Sequence, residues 1–266
     1  MKEEKIGTLF DLVGSEFDKK DETFHAHYEQ MARVCGVCFN RDEIEGKMIL
    51  DAGCGTGTAA LFFARNGAKM VTGVDLSAQS LSVGSRWAEH YKLGNLKFQK
   101  ADILKMPFGD ALFDAIFSIG ALPYVEDVFA GIDEFARITA EGGTITLFLL
   151  KKGELDGVYE GCRRILCRFN KRAAKPMASI LSVCLLPVAG LFLKRKIRAK
   201  GGKPLSQTIL ENLFSPVRLS RVDPAEVTRY LEKKGFDVRE ITEIQNVDFY
   251  SPGTIFLCKA KKRVRV

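Results

Sequence analysis

The chain has only three histidines, and its cysteines do not form a regular framework. Its seven cysteines are scattered and odd in number, and a chain of 266 residues does not need cross-links for stability. Cys35 and Cys38 form the one suggestive pair, but neither a second pair nor a nearby histidine cluster accompanies them. The sequence therefore predicts free thiols in a reducing cytoplasm and no metal site.

Long hydrophobic segments are also scarce. Residues 1–5 are charged and lack the apolar core of a secretory signal. An uncharged run at residues 177–193 has 17 residues, contains Pro187 and is flanked by cations. A membrane-spanning helix needs roughly 20 apolar residues, with about 17 as the lower limit. The run is compatible with a re-entrant or interfacial hairpin and argues against a true span.

The positive charge is confined to one segment. The net charge is +7, but residues 151–203 hold 14 Lys and Arg against 3 Asp and Glu, so the remaining residues sum to −4. Aromatic side chains that stack on bases are sparse there, since Phe169 and Phe192 are the only rings between residues 163 and 200. The pattern argues against nucleic acid as a partner.

A glycine-rich turn is the most informative segment. Residues 51–57 read Asp-Ala-Gly-Cys-Gly-Thr-Gly; they follow an apolar run at 48–50 and precede a helical pattern at 58–66. Glycine accepts positive φ and lets the backbone approach a ligand, and a helix start offers unpaired N–H groups. A dinucleotide site has Gly-x-Gly-x-x-Gly, whereas the third glycine here comes one residue earlier.

Strand-like and helical segments alternate along the chain. Apolar strand-like runs are residues 48–51, 70–75, 96–100, 113–119 and 143–150, and helical stretches are residues 58–66, 78–91 and 128–139. Asp223 and Pro224 start a further helix that stops at Gly235, and residues 237–244 and 254–260 read as an antiparallel hairpin. The alternation predicts an α/β fold with a doubly wound, seven-stranded, mostly parallel sheet.

The turn at residues 51–57 resembles the first motif of the class I S-adenosylmethionine-dependent methyltransferases, and residues 113–122 resemble the fourth-strand motif of that family. The resemblance implies a Rossmann-like methyltransferase fold with an antiparallel seventh strand and S-adenosyl-L-methionine as the cofactor. It also implies cofactor-binding roles for the acid and the glycines of the turn, which are Asp51, Gly53, Gly55 and Gly57. The expected organisation is an N-terminal helical cap at 1–47, a cofactor-binding domain at 48–150 and 223–266, and a helical insertion at 151–222.

Two further acids extend the expected site. By resemblance, Asp75 and Leu76 lie where the family binds the ribose. A nicotinamide-binding site also has an acid about 20 residues after its glycine-rich turn, so Asp75 alone does not distinguish the two cofactors. The alternative role of Asp75 is to cap the helix that follows, but Ser77 is better suited to that cap. Asp102 and Ile103 lie where the family holds the adenine, and an Asx turn at Asp102 is the alternative. A negative site suits a sulfonium and an ammonium group better than a pyrophosphate.

By resemblance, Ser118, Ile119 and Gly120 lie beside the methyl donor. Many relatives carry a histidine pair after the fourth strand, whereas this chain has Pro123 and Tyr124. The departure argues against a histidine base there. Tyr124 then either lines the acceptor pocket or packs within the loop as a structural aromatic side chain.

No catalytic residue stands out. Positioning supplies much of the acceleration of an in-line methyl transfer, and a base is needed only when the acceptor must lose a proton early. His25, His27 and Tyr28 in the cap are candidates beside Tyr124, and surface positions are the alternative for the histidines. His90 ends a helix and is interpreted as structural.

The insertion at 151–222 combines basic and apolar residues. Apolar residues recur at helical spacing from 162 to 173 among basic ones, the pattern of an amphipathic helix at a membrane surface or partner. Eleven Lys and Arg lie between 163 and 200, and each contributes roughly 1 kcal/mol near anionic lipid. The alternative is a lid that covers the substrate opening and holds an apolar acceptor.

Two hypotheses on function follow. The first is a cytoplasmic, peripherally membrane-associated methyltransferase that uses S-adenosyl-L-methionine and acts on a small acceptor that is apolar, lipid-like or lipid-linked. The second is a methyltransferase-fold module that binds the cofactor and acts as a membrane or protein adaptor with little catalysis. The cofactor motifs favour the first hypothesis, and the absent histidine pair slightly favours the second.

Overall fold

The computed structural model describes residues 21–153, 219–244 and 255–264. The chain divides into two units, Met1–Lys152 with Leu219–Val266, and Gly153–Arg218. The second unit lies outside the described residues except for Gly153, and so do the predicted amphipathic helix and the uncharged run at 177–193. Within the described ranges, no helix has the length and apolar character needed to cross a membrane.

Seven strands form one sheet in the order β3-β2-β1-β4-β5-β7-β6. The strands are β1 (Met48–Ala52), β2 (Met70–Asp75), β3 (Leu96–Lys100), β4 (Phe113–Ile119), β5 (Thr139–Leu150), β6 (Phe236–Ile244) and β7 (Ile255–Lys262). The pairs among β1 to β5 are parallel, and β7 is antiparallel to both of its neighbours. The predicted doubly wound, mostly parallel, seven-stranded sheet is confirmed.

Five α-helices are present in the described part of the chain: α1 (Asp21–Cys38), α2 (Thr58–Arg65), α3 (Ala78–His90), α4 (Val128–Ile138) and α5 (Pro224–Lys233). Side-chain oxygens cap three of them. Ser77 accepts from the Ser80 N–H at the start of α3, Asp127 accepts from the first N–H groups of α4, and Asp223 accepts from the Ala225 N–H of α5. The caps predicted at Ser77 and Asp223 are confirmed.

The central strands β1, β2 and β4 are buried on both faces, which explains their near-continuous apolar sequences. Successive side chains of a strand point to opposite faces. Thus Leu50 of β1 packs in the cluster that contains Phe135 of α4, whereas Ile49 packs in the cluster that contains Phe63 of α2. Helices on both sides therefore hold the strand ends in fixed positions.

Strand β5 is longer than predicted, because it begins at Thr139 and not at residue 143. Thr139 pairs with Phe113, and the register then shifts so that Thr144 pairs with Ala115. Gly142 has φ +72 inside this irregularity, a conformation that glycine adopts readily. The Lys262 ammonium donates to the carbonyls of Ala136 (2.8 Å) and Thr139 (2.6 Å) and secures the helix-to-strand junction.

Candidate functional site

The glycine-rich turn lies between the carboxyl end of β1 and the first turn of α2. Gly53, Gly55 and Gly57 have φ values of +76, +52 and +77, a region that L-residues seldom adopt. The N–H groups of Gly53 and Cys54 donate to the Val74 carbonyl of β2 at 2.8 and 2.9 Å. The turn is therefore fastened to the neighbouring strand at the edge where open α/β sheets bind ligands.

The three glycines have different surroundings. A Cβ atom at Gly53 would lie 2.1 Å from the Ala121 Cβ, and one at Gly57 would lie 2.4 Å from the Phe98 ring. A Cβ atom at Gly55 would meet nothing within 4 Å. Gly53 and Gly57 are thus required by the packing of the protein, whereas Gly55 faces open space that a ligand can occupy.

The ring of Phe98 packs against the glycine-rich turn at Gly57. It fills a slot made by three glycines, since Cβ atoms at Gly57, Gly73 and Gly84 would approach its ring atoms to 2.4, 2.7 and 2.8 Å. These glycines come from the turn, from β2 and from α3. Close packing against one aromatic side chain therefore accounts for the third glycine of the turn.

Asp51 lies at the centre of this edge with only 1% of its surface exposed. Its Oδ2 accepts from the Ala60 N–H of α2 at 3.0 Å, whereas Oδ1 has no hydrogen-bond partner among the described residues. Burial raises the pKa of this carboxyl from 3.8 to about 7; the Ala60 bond opposes the rise and the charge of Asp75 adds to it. A buried carboxylate without a partner is unfavourable unless a donor or a cation reaches it.

Asp75, at the end of β2, is bonded to the turn itself. Its Oδ2 accepts from the Gly55 N–H at 2.8 Å and its Oδ1 accepts from the Ser77 N–H at 2.9 Å. Each carboxylate oxygen can accept a second hydrogen bond. Leu76 is half-buried beside it.

Asp102 and Ile103 follow β3 at the same edge. The Asp102 Oδ1 accepts from the Leu104 N–H at 2.9 Å, so the predicted alternative of an Asx turn is present. Ile103 is buried in the core cluster of the sheet. The described residues contain no hydrogen bond between Asp102 and the glycine-rich turn.

The end of β4 forms the opposite wall. Ser118 is buried, and its hydroxyl donates to the Ala52 carbonyl at 2.9 Å, which joins the ends of β1 and β4. Ile119 and Gly120 are half-buried beyond it. Tyr124 lies on the short 3-10 turn Leu122–Tyr124 that follows; its side chain is half-buried, and burial raises the pKa of its hydroxyl.

The chain leaves and re-enters this unit close to that wall. The Val222 N–H donates to the Leu150 carbonyl at 2.9 Å, and the Lys152 N–H donates to the Val222 carbonyl at 3.0 Å. The Ser220 N–H donates to the Pro123 carbonyl and its hydroxyl donates to the Val125 carbonyl. The described residues before and after the 153–218 segment are therefore hydrogen-bonded to one another and to the turn that follows β4.

The three candidates on α1 point to different places. His25 is exposed, and its ring meets the Trp87 ring edge-on at 4.8 Å. The Tyr28 hydroxyl accepts from the Arg65 guanidinium at 3.1 Å, at the far end of α2. His27 alone reaches the glycine-rich turn, because its Nδ1 lies 3.3 Å from the Thr58 Oγ1 in the first turn of α2.

Comparison with known proteins agrees with this architecture. A family model described as a methyltransferase domain matches residues 49–143. The malonyl-[acyl-carrier protein] O-methyltransferase of Serratia marcescens is 32% identical over 141 residues, which cover 52% of this chain and 52% of that protein. The demethylmenaquinone methyltransferase of Porphyromonas gingivalis is 26% identical over 154 residues, which cover 57% of this chain and 62% of that protein.

Among solved structures, a magnesium protoporphyrin IX methyltransferase from Synechocystis PCC 6803 with bound S-adenosylmethionine has a TM-score of 0.61 at 14% identity. The match covers 98% of this chain and 97% of that chain, and at this identity it shows the fold. Residues 49–143 therefore form a class I S-adenosylmethionine-dependent methyltransferase domain. The chain spans little more than half the length of the curated methyltransferases that it matches.

For this methyltransferase domain, the structure brings most of the sequence-predicted residues to one edge. Asp51, Gly55 and Asp75 are linked by hydrogen bonds or by charge, and Ser118 is tied to the same strand end. Asp102 and Ile103 share the edge without contacting the turn. His25 and Tyr28 lie away from it.

Sequence reasoning missed two residues that shape the methyltransferase turn. Phe98 and Ala121 set the space at Gly57 and Gly53, respectively. Neither side chain carries a polar or reactive group. Each lies close to the turn only because the folded sheet brings distant parts of the chain together. The one sequence signal of the Phe98 contact is the set of glycines that face its ring, and these glycines lie in three separate elements of the chain.

Proposed function

We propose that the protein is an S-adenosylmethionine-dependent methyltransferase that acts on a small acceptor. The observation that carries the proposal is the buried Asp51, whose Oδ1 lacks a partner beside a glycine-rich turn that is open to a ligand at Gly55. Asp75 adds a second carboxylate within reach of the same turn. A cation fits this negative site, and a pyrophosphate does not.

The residues at this edge fit the cofactor. Asp75 and Leu76 would hold the ribose, and Asp102 and Ile103 would hold the adenine, as in the family that the sequence resembles. Asp51 and the turn of Gly53, Gly55 and Gly57 would face the amino-acid portion, and the end of β4 at Ser118 and Ile119 would lie beside the sulfonium. When bound, the cofactor supplies a methyl group on a positively charged sulfur.

The protein's contribution to the reaction is mainly positioning. In the described ranges, no histidine pair follows β4, and the wall there carries Tyr124, whose raised pKa keeps its hydroxyl neutral at physiological pH. Tyr124 would line the acceptor pocket and would not act as a general base. Holding the acceptor in line with the methyl group then supplies much of the acceleration.

The acceptor is proposed to be apolar, lipid-like or lipid-linked, and presented at a membrane surface. Named relatives include methyltransferases of demethylmenaquinone and of a malonyl group on acyl-carrier protein. The basic and apolar sequence of 163–200 supports the same idea. Ser220, two residues after the 153–218 segment, is hydrogen-bonded to Pro123 in the turn that carries Tyr124, on the proposed acceptor side.

Cofactor choice is tested by isothermal titration with S-adenosylhomocysteine and with NAD. We expect S-adenosylhomocysteine to bind, and binding of NAD alone would overturn the proposed function. Asp75→Ala should weaken S-adenosylhomocysteine at least tenfold, which is about 1.4 kcal/mol. Asp237→Ala, on the strand β6 at the sheet edge, is the matched control and should leave the affinity unchanged. Equal affinities for the two variants would remove Asp75 from the site.

Membrane presentation is tested by flotation of the whole protein with liposomes. We expect it to float with vesicles that contain anionic lipid and to remain at the bottom with neutral vesicles. Flotation should diminish at high salt, because ions screen the attraction between lysine or arginine and the headgroups. No flotation with either vesicle would leave the lid as the role of residues 151–222.

A further inference from the structure

Among the contacts that hold the helix α1 on the domain, three differ in kind. The Phe24 ring stacks on the Trp87 ring of α3 at 4.4 Å, and the Tyr28 hydroxyl is bonded to Arg65 at the last residue of α2. These two contacts lie away from the glycine-rich turn. The contact of His27 with Thr58 is different, because Thr58 directly follows Gly57 and begins α2.

The first turn of α2 has little stabilisation of its own. Its N-cap is Gly57, which has no side chain to accept a hydrogen bond, and the first turn contains no acidic residue. Asp51 supplies one acceptor to the Ala60 N–H, and its Oδ1 is the buried atom that lacks a partner at the same place. Thr58, which is 2% exposed, places a second polar side chain at this helix start.

The imidazole of His27 determines how that hydroxyl is oriented. Burial lowers the pKa of His27, so the neutral ring predominates near pH 7, with one donor and one acceptor nitrogen. A hydroxyl that bonds to Nδ1 is fixed in direction, and the residue that carries it is fixed at the start of α2. His25 offers no such contact, although it lies only two residues away on α1.

We propose that His27 is a positioning residue of the cofactor site, which acts through Thr58 to fix the first turn of α2 and thereby strengthens cofactor binding. The inference rests on the proposed function, because it concerns affinity for the methyl donor. It gives α1 a direct role in the site, and it gives His27 a role other than that of a general base.

The test measures the Kd of S-adenosylhomocysteine by isothermal titration, together with the melting temperature of each variant. We expect His27→Ala to raise Kd about tenfold and Thr58→Val to raise it by a similar factor. The double variant should be no weaker than either single variant, because both remove the same contact. His27→Asn, which keeps a hydrogen-bonding group near the position of Nδ1, should recover part of the affinity.

Two controls separate this role from general loosening of α1. His25→Ala should stay within twofold of the wild-type Kd. Phe24→Leu removes the stack on Trp87 and should lower the melting temperature while leaving Kd within about twofold. A Phe24→Leu effect on Kd as large as that of His27→Ala, or additive effects of His27→Ala and Thr58→Val, would overturn the proposal. Failure of the wild-type protein to bind S-adenosylhomocysteine would instead overturn the proposed function, and the role of His27 with it.

Discussion

Gly53→Ala is expected to abolish binding of S-adenosylhomocysteine and to destabilise the fold. The new Cβ atom would lie 2.1 Å from the Ala121 Cβ, at a residue with φ +76. Overpacking of this kind costs about 1–3 kcal/mol, and the left-handed conformation adds about 1–2 kcal/mol for an L-residue. The two walls of the site, the turn after β1 and the turn after β4, would have to move apart.

Gly55→Ala is the matched substitution, because it carries the same kind of backbone penalty without a clash. Its φ is +52, and its Cβ atom would meet nothing of the protein within 4 Å. We expect a modest fall in melting temperature and a loss of S-adenosylhomocysteine affinity of at least tenfold. Thermal melts and titrations of both variants measure the two effects separately. Wild-type affinity in Gly55→Ala would show that the ligand does not approach the turn at this position.

These two glycines illustrate how far the sequence predicts the site. The pattern at residues 51–57 predicts a turn that needs positive φ at its glycines, and the structure has positive φ at all three. In the sequence, the three glycines are equivalent. Their roles differ because Ala121 and Phe98 approach from distant parts of the chain, and such contacts exist only once the sheet has formed.

Burial explains why strand bounds could be predicted from the sequence, and strand pairing explains why the start of β5 could not. A strand buried on both faces reads as an apolar run, so β1, β2 and β4 begin and end within about one residue of the predicted positions. The start of β5 contains Glu141 and two glycines and has no such run. The strand begins at Thr139 because this residue pairs with Phe113 of β4 before the register shifts, and that pairing depends on the partner strand.

The candidate residues on α1 also show that contacts between separate elements cannot be predicted from the sequence. His25, His27 and Tyr28 are close in sequence, but a helix directs neighbouring side chains to different sides. Phe24 and Tyr28, four residues apart, are buried against the domain, whereas His25 is exposed. Which of the two histidines faces the turn depends on how α1 is rotated on α2. That rotation is set by contacts such as the stack of Phe24 on Trp87.

The stability of the protein is expected to depend on pH through Asp51. Its carboxyl has a pKa of 3.8 when unperturbed and about 7 in the folded protein, chiefly because it is buried. Between these values the folded state holds a proton that the unfolded state has lost. The contribution of this group to stability is therefore full below about pH 4 and is lost as the pH rises through 7, a change of about 4 kcal/mol in all.

Asp51→Asn should remove this dependence, because the amide keeps an acceptor for the Ala60 N–H and stays neutral at every pH. Urea unfolding of both proteins from pH 5 to pH 8 measures the effect. The free energy of unfolding of the wild type should fall by about 2–3 kcal/mol more than that of the variant over this range. Equal slopes would show that Asp51 is ionised in the folded protein throughout.

The same carboxyl should link cofactor binding to proton release. A cation that reaches the unpartnered Oδ1 favours the carboxylate and lowers the pKa of Asp51. We expect both S-adenosylmethionine and S-adenosylhomocysteine, which carry the same ammonium group on their amino-acid portion, to release a fraction of a proton on binding at pH 7. Titrations in buffers of different ionisation enthalpy measure this release. In Asp51→Asn this release should vanish; if it persists, another group senses the charge of the ligand.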